Sequence, residues 1–196
     1  IKTSILDFFE YISNYSCQLK KHFRGYKEII SYSNKHFYKS SLEVMKIRAK
    51  RIEDVLKFDF IEPGDELPLI PNTNEAEIAH IVAQLQGLKE ANYEGTVGII
   101  TPHTNQQKLI DQRLRELPEV EHYYEKFRLK VMTFDTCQGE ERDTIFYSMV
   151  AGKEMDKLWG VFISDLSKID IEEDGQIKAQ RLNVGFSRAK ETINFV

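Results

Sequence analysis

Two arginines stand in settings where a guanidinium could do chemistry. Arg188 lies in Gln180-Arg181-Leu182-Asn183-Val184-Gly185-Phe186-Ser187-Arg188-Ala189-Lys190, and Arg24 lies in Leu19-Lys20-Lys21-His22-Phe23-Arg24-Gly25-Tyr26. Between them runs Asp135-Thr136-Cys137-Gln138-Gly139-Glu140-Glu141-Arg142-Asp143, with the spacing Gln-Gly-x-Glu-x-Asp. A guanidinium carries a fixed charge on a planar fork of donors, which meets the oxygens of a phosphoryl group in paired hydrogen bonds. Gly139, having no Cβ, allows a tight turn and close backbone approach beside Gln138. The loop that cradles phosphates, Gly-x-x-x-x-Gly-Lys-Ser/Thr, is not in the sequence. Of the ten glycines only Gly152 is followed by lysine, and Glu154 comes next where Ser or Thr is required. The chain offers arginines for phosphate but no phosphate cradle of its own.

Composition bounds what surrounds them. A chain of 196 residues, 41% hydrophobic and 30% charged, can bury a full core in one globular domain. Its net charge of −4 excludes a protein that coats nucleic acid through its whole surface, since that mode needs clustered Lys and Arg to displace counterions; a local groove remains compatible. Cys17 and Cys137 are far apart and lack Cys-x-x-Cys spacing, so neither a disulfide framework nor a zinc site is expected. His22 and His36 have no ligand partners at helical spacing, and no metal ligands are assigned. The expected compartment is reducing and cytoplasmic, with the nucleus left open. No apolar run approaches the roughly 20 residues that cross a bilayer, so no membrane partner is expected. Because it begins Ile1-Lys2-Thr3, the chain reads as a fragment of a longer protein.

Ser4 to about Tyr15 and Lys27 to about Val44 carry apolar residues at three- and four-residue steps, which predicts helices. Val55 to Ile61 alternates and then meets Pro63-Gly64, so it reads as a strand closed by a turn, and Glu62 to Asn74, with three prolines, reads as a loop. Asn74 with Glu77 predicts a capping box for a helix whose Ile78, Ile81, Val82, Leu85 and Leu88 share one face. A strand at 97–101, a helix at about 105–117, strands at 129–133 and 144–150, a helix near 179–189 and a strand at 192–196 follow. Strands separated by such helices build a parallel sheet, because a parallel neighbour is reached only by a crossover. The expected fold is α/β with three layers, residues 1–50 forming a helical segment that carries Arg24 and residues 55–196 the parallel-sheet core. Ligands gather beyond the carboxyl ends of such strands, where Thr101-Pro102-His103 and Thr133 to Glu141 are expected to lie.

The two arginine runs and the Gln-Gly-x-Glu-x-Asp run are similar to motifs of superfamily 1 helicases. Gly98-Ile99-Ile100-Thr101-Pro102-His103-Thr104-Asn105-Gln106 resembles the Gly-Ile-Ile-Thr-Pro-Tyr-x-x-Gln run of the branch that contains the nonsense-mediated decay helicase and its replication and repair relatives. Leu19 to Lys27, followed by Phe37-Tyr38, looks like that branch's Leu-x-x-x-Tyr/Phe-Arg-Met-His-Pro block. Four blocks in the family's order span nearly the whole chain. Gly25-Tyr26-Lys27 departs from Met-His-Pro, and Gly185-Phe186-Ser187 from the usual Ala-Leu-Thr.

The resemblance implies the second RecA-like domain of an ATP-dependent DNA or RNA helicase. In the family, the arginines matching Arg24 and Arg188 reach across a cleft to the γ-phosphate, where charge spreads over equatorial oxygens in the transition state. The aromatic matching Phe23 stacks on the adenine, and the residues matching Gln138, Gly139 and Glu141 sit at the nucleotide. Thr101, Pro102, Gln106, Thr133 and Asp135 match positions at the single-strand groove. A hydroxyl at a strand end can contact a phosphate without base preference, and it can equally cap the following turn. The implied cofactor is ATP with Mg²⁺, the metal held by the first RecA-like domain, which is the implied partner together with single-stranded DNA or RNA. The other reading is a degenerate helicase lobe that binds a protein or nucleic acid without turnover. Lys153 to Lys178, acidic around Asp170, Glu172, Glu173 and Asp174, reads as a solvated loop.

Overall fold

Period-two alternation along the strands decides the layering. The computed structural model describes residues 5–61, 69–150 and 178–196. Within these, the elements are α1 (Ile5–Ile12), β1 (Lys21–His22), α2 (Lys27–Phe37), β2 (Glu43–Val44), α3 (Ile52–Val55), β3 (Leu56–Phe58), α4 (Glu75–Glu90), β4 (Val97–Thr101), α5 (Thr104–Arg115), α6 (Val120–Glu125), β5 (Lys130–Thr133), β6 (Arg142–Tyr147), α7 (Lys178–Phe186) and β7 (Ala189–Phe195). The acidic stretch at 153–177 and most of the proline-rich loop at 62–68 lie outside the described residues.

The five-stranded sheet has the order β3-β7-β6-β4-β5, and every pairing in it is parallel. Neighbouring residues of one strand enter different cores. Ile100, Met132, Ile145 and Tyr147 pack on one face with Tyr26, just before α2, Ile29 of α2 and Leu182 of α7. Ile99, Val131 and Phe146 pack on the other with Ile78, Ile81 and Leu85 of α4 and Leu109 and Ile110 of α5. The result is the expected three-layer α/β domain with a parallel sheet. A separate pair, β1 with β2, is also parallel.

Local chemistry moves several boundaries. α2 stops at Phe37 because Lys39 and Ser40 take left-handed φ of 50° and 58°, and the chain then turns into β2 instead of continuing helically to Val44. Val55 closes the short turn α3, so the strand expected from Val55 begins at Leu56. Asn74 caps α4 as predicted, accepting from the Ala76 and Glu77 amides. The capping box is only half formed. The Asn74 amide donates to Gln106 Oε1 at 2.9 Å, and Glu77 turns inward to accept from Ser148 Oγ at 2.7 Å and the Val150 amide at 3.0 Å.

The link from β5 to β6 positions the site. It crosses β4 through residues 134–141 without a helix, although a parallel crossover usually needs about a dozen residues. Phe134 and Cys137 are buried on the α7 face, so the segment is laid down against the core as it returns.

Candidate functional site

That crossover separates two groups of polar residues that the sequence places together. At the amino edge of the sheet, β6 begins at Arg142 and β7 at Ala189, in register with each other. Glu141 and Arg188 immediately precede these strands and are thereby side by side; the Arg142 amide donates to the Arg188 carbonyl at 3.1 Å. Arg24 comes from the turn before α2. Gly25 lets that turn settle on β7, since a Cβ there would lie 3.1 Å from the Ala189 carbonyl oxygen, and its amide donates to His22 Nε2 at 3.1 Å.

Arg24 Nε meets Glu141 Oε2 at 2.6 Å, and Lys190 Nζ meets Glu141 Oε1 at 2.9 Å. Arg188 Nη2 donates to Ser187 Oγ at 2.7 Å and Nη1 to the Glu140 carbonyl at 3.4 Å. Its Nε is buried and has no hydrogen-bond partner. Burial, and then the charge of nearby Arg24, lower the pKa of Arg188, while the hydrogen bond from Lys190, against some burial, and then Arg24 hold the Glu141 carboxyl below its ordinary range. Three cations around one carboxylate leave a net positive edge with an unsatisfied buried donor, which is suited to a phosphate group.

Phe23 projects beside this group with 67% of its surface exposed. Gln138 is exposed, and Gly139 has φ +82° with open space where a Cβ would stand, a backbone conformation that only glycine adopts freely. Lys190 is the residue of this edge that the motif comparison does not assign, although it stands in the same run as Arg188.

The carboxyl edge carries the other group. Thr101 is fully buried, and its hydroxyl accepts weakly from the His103 amide at 3.4 Å. Gln106, expected at a groove, is also fully buried: its amide donates to the Asn74 carbonyl at 3.1 Å and Ser148 Oγ at 2.9 Å. Together with Glu77 it satisfies a polar junction between α4, α5 and the end of β6, so any part it plays at a groove is in shaping the edge. The Thr133 hydroxyl lies 3.2 Å from that of Thr136 and 3.3 Å from the Thr136 amide, which makes it a turn cap. Pro102 is partly exposed. Asp135, more than half exposed, holds Arg181 of α7 with Oδ1 2.7 Å from Nε and Oδ2 2.7 Å from Nη2. His103 has its pKa lowered by burial and then by Arg181, and it stays neutral at pH 7.

The expectation that Thr133 to Glu141 sits wholly beyond the carboxyl ends is therefore corrected. Thr133 and Asp135 lie there; Glu140 and Glu141 reach the opposite edge, where Glu140 pairs with Lys130 at the start of β5 at 2.7 Å. Ser148 carries no motif signal, Glu77 is legible only as a capping-box residue, and Arg181 stands in the Arg188 run with no role assigned to it. Among the described residues, no cluster of three or more His, Cys, Asp or Glu side chains is arranged to hold a metal, and no helix is long and apolar enough to cross a membrane.

The family profile described as AAA domain matches residues 2–196. Helicase sen1 of Schizosaccharomyces pombe is 26% identical over 92% of this chain and 10% of its own length. The DNA polymerase alpha-associated DNA helicase A of Saccharomyces cerevisiae is 31% identical over 49% of this chain and 14% of its own. The chain thus spans a small part of each of these relatives. The solved C-terminal domain of a possible DNA helicase from Lactobacillus plantarum WCFS1 aligns over 89% of this chain and 86% of its own, with 13% identity and a TM-score of 0.48.

Proposed function

The chain belongs to the AAA domain family, as the C-terminal RecA-like domain of a superfamily 1 helicase, and we propose that it supplies the arginine half of the ATP site in an ATP-dependent DNA or RNA helicase or translocase. The observation that carries this reading is the convergence of Arg24 and Arg188 on one edge around Glu141, with the buried Nε of Arg188 lacking a partner.

Bound ATP with Mg²⁺ supplies the phosphoanhydride, and a P-loop domain elsewhere in the full-length chain holds the metal and the phosphates. Arg188 is held by Ser187 and the Glu140 carbonyl, so its charge is placed before any phosphate arrives. Arg24 is half exposed and shares Glu141 with Lys190, so it can leave that carboxylate for a phosphoryl oxygen while Glu141 keeps Lys190. Phe23, in the turn before α2, offers an exposed ring to a base, and Gln138 and Gly139 stand in the crossover that carries Glu141. Because the arginines come from one domain and the phosphate cradle from another, hydrolysis depends on closure between them. The 196-residue chain alone, with no Gly-x-x-x-x-Gly-Lys-Ser/Thr loop, is expected not to hydrolyse ATP.

The carboxyl edge is assigned to single-stranded nucleic acid, with Pro102 and Asp135 at its surface and Thr101, Thr133 and Gln106 shaping it from within. With a net charge of −4, the isolated domain is expected to hold a strand weakly and with a shallow salt dependence.

The test is ATP hydrolysis by the full-length protein carrying Arg188→Ala or Arg24→Ala. Arginines that act on phosphate across a domain boundary are worth about 10³–10⁵ in rate, and a loss of this order is expected with circular dichroism unchanged. Near-parental turnover at saturating ATP in either variant would make that arginine structural. Arg188→Lys should rescue little, because an ammonium is a point charge without a planar fork.

A further inference from the structure

We propose that Arg181 binds a backbone phosphate of a single strand laid over the carboxyl edge, and that Asp135 holds the guanidinium between binding events as a carboxylate in the phosphate's place. The inference rests on the carboxyl edge being the strand-binding face of a helicase domain.

Three features point to it. The Asp135 carboxylate accepts a hydrogen bond of 2.7 Å from Arg181 Nη2 on Oδ2, and its Oδ1 lies 2.7 Å from Nε as a charge contact, so two guanidinium nitrogens face two carboxylate oxygens, as they would face two oxygens of a phosphodiester. The pair lies beyond the end of β5, where ligands of parallel sheets collect, and beside His103 just past the end of β4. Stability gives little reason for the pair. Asp135 is 56% exposed, an exposed ion pair contributes little, and α7 is already anchored by Leu182 in the core and by the Gly185 carbonyl on Tyr147. The Arg181 side chain is only 25% exposed and paired at its tip, so much of its entropy is lost before a strand arrives. Neutral His103 beside it neither competes for a phosphate nor repels the arginine. Exchange of one anion for another at these two nitrogens involves Asp135, on the exposed turn after β5, swinging aside.

The exchange predicts opposite effects from the two partners. In the full-length protein, affinity for a labelled single-stranded oligonucleotide is measured across a salt titration. Arg181→Ala is expected to weaken binding about tenfold or more and to make the salt slope shallower by about 0.7, the value of one phosphate neutralised on a single strand. Asp135→Asn, nearly the same shape but without the competing charge, is expected to tighten binding by up to about fivefold, the worth of an exposed ion pair. A purely structural pair would make both substitutions weaken binding together, which would overturn the proposal, as would an unchanged slope in Arg181→Ala. Reduced ATP affinity of Arg181→Ala without nucleic acid would put the arginine in the nucleotide cleft and overturn it as well. A circular dichroism melt screens Arg181→Ala for misfolding, and Asp135→Asn tests the sign of the exchange independently. Failure of the unsubstituted full-length protein to bind any strand would overturn the reading of the whole edge, and is visible before any substitution is made.

Discussion

Replacing Gly185 by alanine asks how closely α7 is laid on the sheet. A Cβ at this position would stand 2.2 Å and 2.3 Å from Cδ1 and Cε1 of Phe134, against the roughly 3.5–4.0 Å at which carbons rest in contact. Phe134 has nowhere to go. It is buried, stacked on Tyr147 with centroids 6.1 Å apart and set edge-on to Phe186 at 5.8 Å. Moving the helix instead would stretch the 2.6 Å bond that the fully buried Tyr147 hydroxyl donates to the Gly185 carbonyl. Helix propensity works the other way, favouring alanine over glycine by about 1 kcal/mol. Overpacking costs about 1–3 kcal/mol, and a weakened buried hydrogen bond about 1 kcal/mol more. The net expectation is a loss of about 2 kcal/mol, or a Tm about 4–8 °C lower for a domain of this size. Thermal melts and urea titrations of the chain measure it. A Tm equal to or above the parent's would refute the reasoning, because propensity would then outweigh the clash. Phe134→Leu supplies the control: with the ring gone, Gly185→Ala should lose most of its cost, leaving a clear coupling energy in the double-mutant cycle.

Glu77→Ala leaves the Ser148 hydroxyl and the Val150 amide without their buried acceptor, and should cost about 3 kcal/mol by urea titration at unchanged m; a loss under about 1 kcal/mol would mean both groups find other partners. The Tyr26 hydroxyl donates to Glu191 at 2.5 Å, and that bond, then burial, push its pKa from 10.0 to about 12. Its folded pKa is raised, so its stabilisation is full below 10.0 and is lost as pH climbs towards 12; Tyr26→Phe should remove that alkaline loss, and an ordinary phenolate titration by absorbance would contradict it. Glu140 is shifted the other way, below 4.5, by hydrogen bonds from Lys130 and then Arg142. Its stabilisation is present above 4.5 and lost as pH falls through the folded value, so Glu140→Gln should flatten that part of the acid limb in pH-dependent melts.

Burial was the legible part of this fold. Alternation along 97–101 and 144–147 and the face of Ile78, Ile81 and Leu85 depend on which side chains leave water, and the sequence pattern records that directly. The end of α2 was not legible, because left-handed Lys39 and Ser40 are neither glycine nor asparagine. The course of 134–141 was hidden for another reason. Composition shows that Phe134 and Cys137 are apolar, but not that burying them draws Glu141 down to the opposite edge. Of the site, Arg24 and Arg188 could be paired only by resemblance, since 163 residues separate them and no local pattern joins them. Thr101 and Gln106 show the limit most clearly. A hydroxyl at a strand end, or an amide in the first turns of the helix that follows, reads the same whether it faces a ligand or, as here, closes a buried junction.

The two edges are tied by two struts lying on the same face of the sheet. One is α7, with Arg181 near its start and Arg188 just past its end, about 10 Å apart at helical rise. The other is the crossover, with Asp135 at one end and Glu140 at the other. Arg181 joins Asp135 at the carboxyl edge, and Arg188 joins the Glu140 carbonyl at the amino edge. Both end contacts are partly exposed and cost little to break, whereas the middle is locked by Gly185 against Phe134 and by the Tyr147 hydroxyl. Contacts ranked in this way let either end exchange partners while the frame between them holds its shape. On the proposed reading, an anion gained by Arg181 and one gained by Arg188 would act on a single rigid pair of elements, and Gly185, the residue without room for a methyl group, is where that rigidity is decided.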